Sequence, residues 1–244
     1  MIPILSCDEA YALDKTTIKS GYLSQKKIMD NAGRILAQFI IENIQDSFNQ
    51  KFAVVAGPGN NGGDGVICHH YLLHYGVNSI LILLNKSMQQ SWIFQEYSIF
   101  SKSINIYTNT YIFDPDIWYI DAIFGIGLKR EIKGKYKSII EEMNAFSKVI
   151  SIDIPSGICG NTGMNVGAYI KPKYTLTMGY PKLGNYFNTG LKAGGELYIL
   201  DIGLKPLENS ENYINIIELE DLFSRRPTHT YDIHKYSRGK VISI

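Results

Sequence analysis

Between Phe52 and Tyr71 the sequence reads FAVVAGPGNNGGDGVICHHY: an apolar run, a glycine-rich stretch over 57–65, then a helix-like pattern. A strand, a glycine loop and a helix present backbone N–H groups to phosphate oxygens. This loop adds two amides, Asn60 and Asn61, and a carboxylate, Asp64. An acid repels a phosphate, so the loop is expected to do more than cradle a pyrophosphate.

Two other strand-like runs end in similar loops, DAIFGIGLKRE (121–131) and DIPSGICGNTG (153–163). Asp121 and Asp153 stand inside apolar patterns near the strand ends, where a carboxylate is costly unless paired, hydrogen-bonded or bound to a cation. Each alone could cap a following turn. Asn61, Asp121 and Ser156 offer oxygen donors only, which suits a hard cation such as K⁺, Mg²⁺ or Ca²⁺ rather than zinc. Gly125 and Gly127, followed by Lys129 and Arg130, could hold phosphate oxygens, although these two charges could equally be solvated. His70 and His74 are spaced i, i+4, but HExxH is absent, and the histidines read as structural.

The elements that must position these residues follow from periodicity. Helical patterns cover 7–20, 25–44, 65–75, 88–101 and 136–146. Strand-like runs cover 52–56, 79–84, 104–107, 118–124, 148–154, 174–178 and 196–202. Residues 190–195 (GLKAGG) read as a turn. Strands that are apolar on both faces and alternate with helices indicate α/β architecture, a mostly parallel sheet covered on both sides. Ligands then bind outside the carboxyl ends of the strands, where the three loops converge.

The bulk properties exclude other classes. A net charge of +1 over 244 residues gives no attraction to nucleic acid or an anionic membrane. The 3 cysteines form neither an even disulfide set nor a CxxC pair, as expected for reduced thiols. No apolar run approaches the roughly 20 residues of a membrane span. The N-terminus carries acids and no basic segment, unlike a secretory signal. A cytoplasmic location is the expectation.

In order, GPGNNGGDG, DAIFGIGLKRE, DIPSG and MGYPKLG resemble the N-terminal YjeF-type domain, the NAD(P)H-hydrate epimerase, over residues 1–222. The resemblance implies a three-layer αβα Rossmann-like fold. It also implies an isomerase acting on NADHX and NADPHX, nicotinamide cofactors hydrated at C6, whose R and S forms it interconverts. By motif position, Asn60, Asn61, Gly62, Gly63, Asp64, Gly125, Ile126, Gly127, Leu128, Lys129, Arg130 and Glu131 would contact substrate. Asp153 would contact it and act as the catalytic group. Asn61, Asp121 and Ser156 would hold one K⁺ per subunit, and the subunits would pair as a homodimer. C6 is a hemiaminal carbon, so the hydroxyl can be lost and regained, or the ring opened and reclosed; either route needs a carboxyl acting as acid and base.

Residues 223–244 resemble a linker and the opening of the ADP/ATP-dependent dehydratase domain that would be the functional partner. The competing reading is a strand at the sheet edge. The dehydratase's own motifs are absent, so that activity is not expected here. Two other functions compete with the epimerase. Domains of this type also serve as scaffolds and lipoprotein-binding modules, which do not need the full acid and amide set. A dehydrogenase is disfavoured because Asn85 stands where a ribose-binding acid belongs.

Overall fold

Alternation along the strands decides the layers. The computed structural model describes residues 1–98, 104–106, 113–209 and 212–217. The strands in chain order are β1 (Ile2–Ile4), β2 (Lys51–Ala56), β3 (Asn78–Leu83), β4 (Ile104–Ile106), β5 (Trp118–Ala122), β6 (Val149–Ile152), β7 (Tyr174–Met178), β8 (Glu196–Leu200) and β9 (Ile214–Ile216). Seven of them form a parallel sheet in the order β4-β3-β2-β5-β6-β7-β8. The helices are α1 (Cys7–Lys19), α2 (Gln25–Asn43), α3 (Asn60–His74), α4 (Trp92–Tyr97), α5 (Gly134–Met143), α6 (Leu183–Tyr186) and α7 (Asn188–Ala193).

In β2, Phe52, Val54 and Ala56 face one apolar core, shared with Leu36 and Ile40 of α2 and Ile67 and Leu72 of α3. Ala53 and Val55 face the other, shared with Ile139, Ile140 and Met143 of α5. Each fully buried Leu or Ile contributes about 1.5–3 kcal/mol. Helices on both faces make the three-layer αβα sandwich that the sequence implied.

Three expectations are corrected. The stretch 57–65 is not all loop, because α3 begins at Asn60. Glycines disfavour helix, yet a Cβ on Gly62 would lie 2.0 Å from the Gly57 carbonyl oxygen. Close approach of the helix start to the β2 end therefore outweighs propensity. The pattern over 88–101 divides into a 3₁₀ turn, Lys86–Gln90, and α4, because the Ser91 hydroxyl accepts from the Phe94 N–H at 3.2 Å and starts a new helix; its end lies outside the described residues. The turn expected over 190–195 is largely α7, packed so that a Cβ on Gly190 would lie 1.8 Å from the Gly184 oxygen.

One pairing was not anticipated: β1 lies antiparallel to β9, with Ile2 opposite Ile216. The segment 223–244 lies outside the described residues. His69 behaves as read. It is buried and shares a 2.8 Å hydrogen bond with the Ser79 hydroxyl, and burial pushes its ring down to about 4, so it is neutral. Cys7, Cys68 and Cys159 are free thiols.

Candidate active site

The sheet reverses its winding between β2 and β5: the chain moves outward from β2 to β3 and β4, then returns to β5 and continues outward to β8. Such a switch point opens a crevice at the carboxyl ends of the two strands. Here it forms a cleft of about 1100 Å³, more than the roughly 300–1,000 Å³ of drug-sized sites and enough for a dinucleotide. One wall is Pro58–Asn61 with Asp64, the opposite wall is Ile123–Arg130, and α1 closes a third side with Tyr11, Asp14 and Lys15. Helix α1 begins where it does because Ser6 and Glu9 form a capping box: the Glu9 N–H reaches Ser6 Oγ at 3.3 Å, and the Ser6 N–H reaches Glu9 Oε2 at 2.7 Å.

Asp153 and Lys182 lie on the cleft lining. Asp153 follows β6 and has φ +66°, one of four non-glycine residues with positive φ among those described. Aspartate tolerates this left-handed conformation better than most residues, at a cost on the order of 1 kcal/mol. The turn is held by the Asp153 N–H donating to the Leu176 oxygen at 2.7 Å and by Asn185 Nδ2 donating to the Asp153 oxygen at 3.4 Å. Lys182 Nζ donates to Asp153 Oδ1 at 2.5 Å and to the Met178 oxygen at 3.0 Å; Thr177 Oγ1 donates to the same carboxylate oxygen at 3.3 Å. The Lys182 N–H is fixed by Asn185 Oδ1 at 2.7 Å. The side chains of Lys182 and Asp153 are only 6% and 9% exposed.

Asp121 lies beneath the cleft and is fully buried. Register explains its setting, since β5 places it beside Ser151 of β6. Its Oδ2 accepts from Ser151 Oγ at 2.7 Å and from the Ser156 N–H at 2.9 Å; its Oδ1 accepts from Ser156 Oγ at 2.5 Å and from the Ile123 N–H at 3.2 Å. Burial pushes the carboxyl up, and the hydrogen bonds from Ser156, Ser151 and Ile123 pull it back. Ser156 Oγ also accepts from the Phe124 N–H at 2.8 Å, which ties the β6 loop to the β5 loop.

Asn61 completes this group from the other wall. A Cβ on Gly125 would lie 3.3 Å from the Asn61 side chain, so Asn61 sits directly against the Phe124–Gly125 turn. Both its side-chain polar atoms, Oδ1 and Nδ2, are buried without a partner among the described residues. An unmatched buried polar group costs about 1–3 kcal/mol. An oxygen acceptor left bare next to an anionic network fits a cation, and the donors nearby are amide, hydroxyl and carboxylate oxygens. Among the described residues no cluster of three His, Cys, Asp or Glu side chains offers a transition-metal site.

Asp64, in the second turn of α3, is 8% exposed, lines the cleft and accepts no side-chain hydrogen bond among the described residues. Burial pushes its carboxyl well above the usual range; Asp153 and Asp14 add to this, and Lys182 opposes it. Asp14 of α1 is also raised, first by burial, with Lys182 lowering and Asp153 raising it.

The structure thus gathers Asn60, Asn61, Asp64, Gly125, Ile126, Gly127, Leu128, Lys129, Arg130 and Asp153 around one cleft, with Asp121 and Ser156 under it. Three of the anticipated contact residues do not open onto it. Gly62 and Gly63 are buried in α3 against Gly57 and Ile93, and Glu131 turns outward to Lys133 at 2.8 Å. Sequence reasoning missed Lys182 and Asp14. Lys182 sits inside the quoted MGYPKLG, and Asp14 falls among Ala10, Leu13 and Thr17, all buried, so both carried a usable signal.

A doubly wound parallel sheet with a dinucleotide-sized cleft at its switch point, containing a buried carboxylate–lysine pair, defines a Rossmann-like ligand-binding domain. Residues 25–184 match the family described as YjeF-related protein N-terminus, and the chain belongs to that family. It is 32% identical to the bifunctional NAD(P)H-hydrate repair enzyme of Thermofilum pendens over 97% of this chain and 46% of the relative. It is 33% identical to the NAD(P)H-hydrate epimerase of Elusimicrobium minutum over 79% of this chain and 91% of the relative. The chain spans about half the length of the bifunctional relatives. The crystal structure of yeast ynu0 superposes with a TM-score of 0.70 at 22% identity, covering 81% of this chain and 88% of that one, and so shares the fold. No helix among the described residues is long and apolar enough to cross a membrane.

Proposed function

We propose that this chain is an isomerase that interconverts the R and S epimers of NADHX and NADPHX at C6 of the nicotinamide ring. The observation that carries the reading is Asp153: a nearly buried carboxylate, turned into a dinucleotide-sized cleft by a positive-φ backbone and held there by Lys182. Relatives of similar length named NAD(P)H-hydrate epimerase support it. So does the intact set of Asn61, Asp64, Asp121, Asp153 and Ser156, which a scaffold does not need.

The chemistry asks for a group that gives a proton to the C6 hydroxyl or takes one from incoming water. Asp153 would do this. Lys182 orients its Oδ1 and balances its charge, so the carboxylate is available as a base without being solvated. Gly125–Arg130 and Pro58–Asn60 would bind the dinucleotide backbone, with main-chain N–H groups and the exposed Lys129 and Arg130 facing its phosphates. The side chains over the cleft, Tyr11 among them, would shield the ring from bulk water.

A K⁺ ion would be held by Asn61 Oδ1, Ser156 Oγ and the Asp121 carboxylate, joining the two walls and supplying a fixed positive field. This chain would act in the cytoplasm as a homodimer, and its functional partner would be an ADP/ATP-dependent dehydratase. The test mixes both epimers of NADHX with this chain and a dehydratase specific for the S form. Faster clearance of the R epimer is expected; clearance at the uncatalysed rate in K⁺ buffer would overturn the proposal.

A further inference from the structure

The cleft contains a second buried carboxyl, Asp64, carried by a different element from Asp153. Asp64 is more than nine-tenths buried, lines the cleft and receives no hydrogen bond from a described side chain. Lys182 is engaged by Asp153, and among the described residues no cation forms an ion pair with Asp64. The two acids come from different elements. Asp64 rises from α3 after β2 and Asp153 follows β6, with β5 lying between these strands. Both carboxyls line the same cleft, so they approach a bound ring from two different walls.

By the loss-and-return route, epimerisation at C6 takes the hydroxyl off one face and returns it to the other. A single carboxyl serves both faces only if the ring turns over in the site. We infer that Asp64 is a second catalytic carboxyl, acting on the ring face opposite Asp153. This rests on the epimerase reading.

In one direction, the Asp64 carboxylic acid gives its proton to the C6 hydroxyl oxygen. The C6–O bond breaks and its electron pair leaves with water, while the N1 lone pair forms the N1=C6 bond. A water on the far face attacks C6. The new C6–O bond forms, the N1=C6 pair returns to N1, and the water's proton passes to the Asp153 carboxylate. Atoms and charge balance, and the enzyme ends with Asp64 ionised and Asp153 protonated. That form accepts the opposite epimer and runs the steps in reverse, or it exchanges protons with solvent past Asp14.

Exchange of oxygen with H₂¹⁸O separates the two carboxyls. Wild type is expected to epimerise and to label both epimers. Asp64→Asn, which keeps the shape of the neutral acid, is expected to epimerise about 100- to 10,000-fold more slowly. It should still label one epimer, because Asp153 can eject and return water on its own face. Asp153→Asn should label only the other. Full epimerase activity in Asp64→Asn, or loss of labelling from both epimers, overturns the assignment. If the amide variant does not fold, Asp64→Ala with added formate decides it: formate should restore epimerisation, and no rescue counts against the proposal. A wild-type chain that neither epimerises nor exchanges overturns the function, and this assignment with it.

Discussion

Lys182 Nζ stands 2.5 Å from Asp153 Oδ1 with both side chains nearly withdrawn from solvent. Neither charge is sustainable alone in that place: a buried pair broken by removing one partner costs about 3–5 kcal/mol. Met178 and Thr177 supply the remaining contacts of the ammonium, so its position is set by β7 and its direction by the carboxylate. Lys182→Met is therefore expected to reduce epimerase activity at least about 100-fold and to lower Tm. Lys182→Arg should retain more stability than activity, because a wider guanidinium displaces the Asp153 oxygen it must orient. Thermal melts and R-epimer clearance, measured on both variants, check this.

The features legible in the sequence were those that repeat. Strand β7 lies where its strand-like pattern placed it, over 174–178, and each of the three glycine-rich stretches follows a strand of one parallel sheet. Features fixed by contacts between distant segments were not legible. The NNGGDG stretch reads as loop by propensity, yet it is helix because Gly62 must touch Gly57. Lys182 is buried although lysines almost never are, and its carboxylate partner explains this. The β1–β9 ribbon joins three-residue strands from opposite ends of the described chain, where no local pattern marks them.

The helix start makes a paired expectation about glycines. In an exposed helix, Gly→Ala gains about 1 kcal/mol. Gly62→Ala should instead lower Tm clearly, because its Cβ would be driven to 2.0 Å from a backbone oxygen that cannot yield. Gly59→Ala has nothing within 4 Å of the added carbon and should change stability by less than about 1 kcal/mol. Chemical denaturation of the two variants tests whether packing or propensity governs this turn.

The buried acids set a pH dependence. Asp64 is raised above its ordinary value of 3.8 in the folded protein, so the native state keeps its proton longer than the unfolded chain. Stability from this group is fully present below pH 3.8 and falls as pH rises through the folded value. Asp153 and Asp14 push in the same direction and Lys182 against it, and all three persist in Asp64→Asn. The variant's melting temperature, compared with wild type in tetramethylammonium buffer, should nearly coincide at pH 4 and exceed it increasingly toward pH 8. A constant difference across that range would show that Asp64 does not titrate as described.

The bare amide of Asn61 gives the proposed K⁺ site a readout independent of turnover. Its Oδ1 and Nδ2 are buried without partners among the described residues, while Asp121, Ser156 and Phe124 beneath it are already linked to one another. An ion that occupies the gap binds the folded chain and not the unfolded one. It therefore stabilises by RT ln(1 + [L]/Kd), about 2.7 kcal/mol at a hundredfold excess over Kd. Replacing tetramethylammonium by K⁺ should raise the wild-type Tm by several degrees, and Na⁺, being smaller, should raise it less. Asn61→Leu removes the unmatched polar atoms along with the oxygen donor, so in the absence of K⁺ it should be no less stable than wild type. Its response to K⁺ should vanish. A K⁺-dependent shift that survives in Asn61→Leu would place the ion elsewhere.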